Sequence, residues 1–69
     1  MVYPEIAKYM ACKRMSQKDM AKIIGVSQQA ASKKLNGITD FKRTEMVALI
    51  ECFKNIESNL TMDQLFKIF

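Results

Sequence analysis

Apolar residues recur along this 69-residue chain at intervals of three and four positions, which is the spacing of α-helices. The pattern predicts helices over about residues 4–13, 17–24, 28–36 and 41–53, and a short apolar helix at about 61–69. Hydrophobic residues make up 49% of the chain, with only two Gly and one Pro, which argues against a many-turned β fold and against a disordered chain. The chain is therefore predicted to be one compact all-α domain, 1–69, of five helices.

The segment 16–37 has the features of two short helices joined by a tight turn. Ser16 and Ser27 each stand where a hydroxyl can accept a hydrogen bond from the free N–H groups of a first helical turn. Asp19 follows Ser16 by three residues and completes a capping-box pattern. Gly25 ends the first helix in a position where the left-handed conformation carries no steric penalty. The short connection is typical of a helix-turn-helix motif.

The second helix of this pair is expected to have one apolar face and one polar face. At 100° per residue, Ala31 and Leu35 fall on the same side. The remaining surface carries amide, hydroxyl and ammonium groups and no carboxylate, from Gln28, Gln29, Ser32, Lys33 and Asn36. Such groups can hydrogen-bond to base edges and neutralise phosphates, so the face is a candidate for binding double-stranded DNA. An ordinary solvated helix face is the alternative interpretation.

The stretch SQKDMAKIIGVSQQAASKKLNG resembles the helix-turn-helix of phage repressor and Cro proteins, a family of the XRE type. The similarity lies in Gln17 at the first helix start, Met20-Ala21 within it, the turn 24–27, and Leu35-Asn36-Gly37 at the end. It extends over nearly the whole chain, since 41–53 and 60–66 resemble the family's next two helices. The resemblance implies a lambda-repressor-like fold. It also implies a regulator of phage or prophage type that binds specific DNA sequences and represses by occupying an operator.

Two features depart from the family pattern. Ala31 is smaller than the Val, Ile or Leu usual at that core position, which predicts looser packing of the second helix. Lys33 and Lys34 replace side chains that differ widely among family members, so the resemblance does not supply the target sequence.

The resemblance and the residue chemistry together predict a division of roles on DNA. Base contacts in the major groove are expected from Gln28, Gln29, Ser32 and Lys33. Contacts to the DNA backbone are expected from Gln17, Ser27, Asn36, Lys42, Arg43 and Thr44. Cations at the start of the predicted helix 41–53 oppose the helix dipole, and a bound phosphate would justify them. Asn36 has an alternative structural role, because Asn-Gly readily ends a helix.

The C-terminal end of the chain is apolar enough to form an interface. Related repressors pair through this end, so the resemblance implies a homodimer, at least on DNA, through Phe66, Ile68 and Phe69. Packing against the first or fourth helix of the same subunit is the alternative.

The charge distribution favours a polyanionic partner. The chain has a net charge of +4. Residues 1–34 hold seven Lys or Arg against two acidic residues, a net charge of +5, whereas residues 35–69 carry a net charge of −1. The positive charge therefore accompanies the candidate DNA-binding helices.

Other classes of function find less support in the sequence. The chain has no His, and Cys12 and Cys52 are isolated, so we expect free thiols, no metal and no cofactor. Paired acids and a Gly-rich phosphate loop are missing, which argues against an enzyme or a small-molecule site. No run approaches the roughly 18 apolar residues of a membrane span, so we expect a cytoplasmic protein. The main alternative is a DNA-inert helical module that binds a partner protein through its apolar C-terminal end.

Overall fold

A computed structural model of the protein describes residues 2–67, which form five α-helices and no strand. The helices are α1 Pro4–Cys12, α2 Gln17–Ile24, α3 Gln28–Leu35, α4 Arg43–Phe53 and α5 Met62–Leu65. α2 packs against α3 and α4, and α5 packs against α1 and α4. The predicted all-α, five-helix fold is confirmed.

One hydrophobic core holds the helices together, and every helix contributes to it. Its largest fully buried side chains are those of Ile6, Met20, Leu35, Leu49, Phe53 and Leu65. A chain of this length buries a smaller share of its surface than a larger domain does. Each of these side chains therefore contributes a substantial part of the free energy of unfolding. The apolar positions predicted from helical spacing supply most of this core.

The end of α1 differs from the prediction by one residue. The Arg14 N–H donates to the Ala11 carbonyl at 3.1 Å, and the Met15 N–H donates to the Met10 carbonyl at 2.8 Å. These two bonds form a Schellman motif, which places the residue after the C-cap in the left-handed region. Arg14 adopts that conformation with φ 52°, although glycine is the residue that adopts it without strain. α1 therefore ends at Cys12 instead of continuing through Lys13.

The two C-terminal helices are both shorter than the sequence pattern predicted. α4 begins at Arg43 because Lys42 is extended, with φ −76° and ψ 155°. α5 is a single turn that ends at Leu65, so the predicted helical range 61–69 was too long within the described residues. Thr61 caps this turn, since its hydroxyl accepts a hydrogen bond from the Gln64 N–H at 3.3 Å.

Candidate nucleic-acid interface

Hydrogen bonds fix both ends of the turn between α2 and α3. The Ser16 hydroxyl accepts from the Asp19 N–H at 3.1 Å, and the Asp19 carboxylate accepts from the Ser16 N–H at 3.1 Å, which completes a capping box. Gly25 ends α2 in the left-handed conformation with φ 77°. The Ser27 hydroxyl then accepts from the Ala30 N–H at 3.2 Å and starts α3. The turn thus has the geometry of a helix-turn-helix.

The apolar and polar side chains of α3 lie on opposite faces of the helix, as the periodicity predicted. Ala31 and Leu35 are fully buried. On the outer surface Gln28, Gln29 and Lys33 are exposed, whereas Ser32 is half-buried. These outward residues carry amide, hydroxyl and ammonium groups and no carboxylate, so nothing on this face of α3 repels a polyanion.

A second Schellman motif ends α3. The Gly37 N–H donates to the Lys34 carbonyl at 3.1 Å, the Ile38 N–H donates to the Lys33 carbonyl at 2.9 Å, and Gly37 has φ 76°. The Val2 N–H adds a hydrogen bond of 3.2 Å to the Leu35 carbonyl, so the start of the chain also covers this helix end.

Asn36 is the C-cap of α3 and is exposed. Its side-chain amide lies 3.5 Å from the Ser32 hydroxyl, at the long limit of a hydrogen bond. Asn36 therefore has the structural role of ending α3, which the sequence offered as an alternative to DNA contact. Its side chain is also exposed to solvent.

A buried ion pair joins α3 to α4, and the sequence pattern did not predict it. The Lys34 Nζ lies 2.9 Å from the Glu45 Oε1, and the two side chains are only 10% and 6% exposed. The Lys34 Nζ also donates to the Asp40 carbonyl at 3.0 Å, and the Glu45 Oε1 accepts from the Lys42 N–H at 2.8 Å. One ammonium and one carboxylate oxygen thus connect α3, the following loop and the first turn of α4.

Two features of the sequence mark Lys34 and Glu45 individually as unusual positions, although neither feature identifies the other residue as its partner. With Gln28 at zero, Lys34 falls at about 240°, next to the buried Ala31 at about 300° and away from the polar face. Glu45 stands three residues after Lys42, which is the capping-box position relative to that N-cap. Glu45 is buried on the same side of α4 as Leu49, Ile50 and Phe53, whereas the apolar neighbour Met46 is only half-buried.

The environment of Glu45 lowers the pKa of its carboxyl below the ordinary value of 4.5. Burial acts in the opposite direction, because it disfavours the charged form. The hydrogen bond from the Lys42 N–H and the hydrogen bond and charge of Lys34 outweigh that effect. Glu45 is therefore ionised at neutral pH and pairs with the Lys34 ammonium.

Cationic and hydroxyl side chains surround the start of α4. Lys42, Arg43 and Thr44 are all exposed. The Lys42 N–H is already bonded to Glu45, which fixes the direction of the chain where it enters the helix. Because Glu45 also pairs with Lys34, the start of α4 is held beside the C-terminal end of α3.

The remaining predicted DNA-backbone contacts lie at the starts of the two helices of the motif. Gln17 is the first residue of α2 and is half-buried. Ser27 is exposed, and its oxygen is engaged as the cap of α3. Lys13, which directly follows α1, donates through its Nζ to the Cys52 carbonyl near the end of α4 at 3.0 Å.

Phe66, one of the three predicted interface residues, packs within its own subunit. Its ring meets Tyr3 and Phe41 edge-on, with centroids 5.9 and 5.2 Å apart, and the side chain is half-buried. Intramolecular packing, the alternative given for this end, thus applies to at least part of the Phe66 surface. Ile68 and Phe69 lie outside the described residues.

The described part of the chain contains no evident metal site. Residues 2–67 contain no cluster of three potential metal ligands, and Cys12 and Cys52 are free thiols. None of the helices in that range is long and apolar enough to cross a membrane.

Two capped helices joined by a left-handed glycine, with an acid-free outer face on the second, define a helix-turn-helix DNA-binding domain. The comparison with protein families agrees, since the model of the helix-turn-helix family matches residues 6–58. Searches of curated proteins and of solved structures found no match. The chain belongs to the XRE-type helix-turn-helix family, which confirms the resemblance seen in the sequence, and it is a DNA-binding regulator.

Proposed function

We propose that this protein is a sequence-specific regulator of the phage repressor and Cro type, which acts by occupying an operator in double-stranded DNA. The observation that carries the proposal is the outer face of α3, where exposed amides and an ammonium group project with no carboxylate among them. In this proposal α3 enters the major groove and reads base edges through Gln28, Gln29, Ser32 and Lys33. Gln can bond adenine with two hydrogen bonds, and Lys can approach guanine or a phosphate.

A second set of residues is proposed to hold the domain on the DNA backbone: Gln17, Ser27, Asn36, Lys42, Arg43 and Thr44. The geometry at Ser27 is compatible with this role, since its oxygen accepts from the Ala30 N–H and its O–H proton can still be donated to a phosphate. The exposure of Lys42 and Arg43 supports the same role at the start of α4. Their contacts would fix orientation without carrying sequence information.

We further propose that two copies pair through the C-terminal end when they bind DNA. Phe66 would contribute the part of its ring that Tyr3 and Phe41 leave uncovered, together with Ile68 and Phe69. A dimer of this family type reads two half-sites about 34–36 Å apart, and the operator would then be an inverted repeat.

Selection from a random duplex library at about 150 mM salt tests this proposal directly. We expect enrichment of one site, bound roughly a thousandfold or more tightly than scrambled competitor DNA, with an inverted repeat if the protein pairs. Weak binding that disappears as salt rises, without an enriched site, would refute the proposal and favour the protein-interaction module.

Substitutions at the enriched site then test the division of roles. Gln29→Ala should cost about 1–3 kcal/mol of binding and relax the preference at one base pair. Lys42→Ala should weaken binding to all sequences alike and reduce the log–log salt slope by about 0.9. Lys54→Ala is the matched control, because Lys54 is an exposed cation at the opposite end of α4. Equal losses for all three variants would contradict the division.

A further inference from the structure

The buried pair Lys34–Glu45 has no part in the contacts proposed above. Its two side chains are 10% and 6% exposed, so neither can reach DNA in this conformation. A pair of apolar side chains of similar volume is commonly at least as stable as a buried ion pair. Burial alone therefore does not account for the use of two charged residues at this position.

The hydrogen bonds of the pair specify an arrangement that apolar side chains could not specify. Lys34 reaches the Asp40 carbonyl in the loop at 3.0 Å, and the Glu45 Oε1 reaches the Lys42 N–H at 2.8 Å. The same Oε1 lies 2.9 Å from the Lys34 Nζ. Hydrogen bonds depend on direction as well as distance, so this network restricts both the position and the rotation of the first turn of α4 relative to α3.

We infer that Lys34 and Glu45 are positioning residues that hold the start of α4 in register with α3, so that phosphate and base contacts form together. This inference rests on the proposed function. Neither residue touches the DNA. Their effect passes through Lys42, whose N–H Glu45 binds, and through Arg43 and Thr44, which follow it in the first turn.

The double variant Lys34→Met/Glu45→Leu separates positioning from stability. It replaces the ion pair by an apolar pair and leaves the net charge unchanged. The matched control is Lys54→Met/Glu51→Leu, which makes the same chemical changes at exposed positions at the other end of α4. Circular dichroism and thermal unfolding establish that both variants are folded at the temperature of the binding assay.

The measurement is fluorescence anisotropy of a labelled duplex carrying the enriched site, over a series of salt concentrations. For the buried double variant we expect affinity at about 150 mM salt to fall at least tenfold. The log–log salt slope should decrease by about 0.9 for each phosphate that the variant no longer neutralises. The ratio of affinities for the site and for a variant with one changed base pair should stay the same. The control should match the wild type in all three measurements.

The outcomes distinguish this inference from the proposed function. If the wild-type protein binds no duplex specifically, both fail. If it binds and the folded double variant keeps its affinity and salt slope, the positioning role alone is wrong. A loss of base preference with an unchanged slope would also overturn it, because the pair would then act on α3 instead of α4.

A milder variant keeps the inference testable if the double variant does not fold. Glu45→Gln retains the volume and an oxygen that can accept from the Lys42 N–H, but removes the charge that pairs with Lys34. We expect a smaller decrease in the salt slope and faster hydrogen exchange of the Lys42 amide. Wild-type values for both measurements would overturn the positioning role.

Discussion

Replacing Arg14 by glycine is expected to stabilise this protein. Arg14 follows the C-cap of α1 with φ 52°, in a Schellman motif closed by the hydrogen bonds from the Arg14 and Met15 amides. A non-glycine residue in the left-handed region carries a cost of about 1–2 kcal/mol from its Cβ atom. Glycine removes that cost. However, glycine also gives the unfolded chain more conformational freedom, which offsets about 0.5–1 kcal/mol of the gain in stability.

The net gain in the free energy of unfolding for Arg14→Gly is therefore about 0.75 kcal/mol, the middle of the range of about 0–1.5 kcal/mol that these two contributions allow. In a domain of this size, that gain corresponds to a rise in melting temperature of roughly 2–8 °C. Thermal unfolding followed by circular dichroism and urea unfolding at neutral pH would both measure it. The urea slope should not change, because the fold and the surface exposed on unfolding stay the same.

Arg14→Ala is the matched control for this prediction. It removes the same charge and the same long side chain, but it keeps a Cβ atom in the left-handed conformation. We expect no stabilisation from this variant. If alanine stabilised the protein as much as glycine, the stabilisation would come from removing the charge and the long side chain of Arg14, and not from relieving backbone strain. If glycine gave no stabilisation, the assignment of backbone strain at Arg14 would be wrong.

Two further predictions concern the ion pair between α3 and α4. Lys34→Met should lower the free energy of unfolding by about 3 kcal/mol, because it leaves the buried Glu45 carboxylate without its cation, whereas the exposed neighbour Lys33→Met should change it by less than about 0.5 kcal/mol. Similar effects of the two lysine variants in urea unfolding would refute the buried pair. The lowered pKa of Glu45 also predicts a pH dependence: its contribution is fully present above the unfolded pKa of about 4.5 and is lost as the pH falls through the lower folded value. Glu45→Gln should therefore show a flatter decline of stability in acid than the wild type, and identical acid profiles would contradict this.

Local sequence signals predicted the motif well because they act over one or two helical turns. Ser16 with Asp19, and Ser27 before α3, form the caps that their positions indicated. Gly25 adopts the left-handed conformation that ends α2. Such features depend on hydrogen bonds between residues three or four apart, so the sequence contains the information needed to recognise them.

Local sequence patterns did not predict the contacts between residues that are far apart in the chain. The contact of Lys13 with the Cys52 carbonyl joins residues 39 positions apart, and the ring of Phe66 packs on Tyr3 from the other end of the chain. Neither partner can be identified from spacing, because each contact depends on how whole helices are oriented in the core. The length of α5 was also overestimated within the described residues, since Phe66 continues the hydrophobic pattern although the helix ends at Leu65.

The sequence by itself determined the helical class, the helix-turn-helix and the acid-free face of α3, because periodicity, capping residues and glycine positions act locally. The tertiary structure decided that Lys34 points inward and pairs with Glu45, and that Arg14 takes a conformation suited to glycine. The energy of a buried charge depends on which partner the fold brings within hydrogen-bonding distance. For Lys34 that partner lies on another helix, and only the packing of α3 and α4 beside each other brings the two charges together.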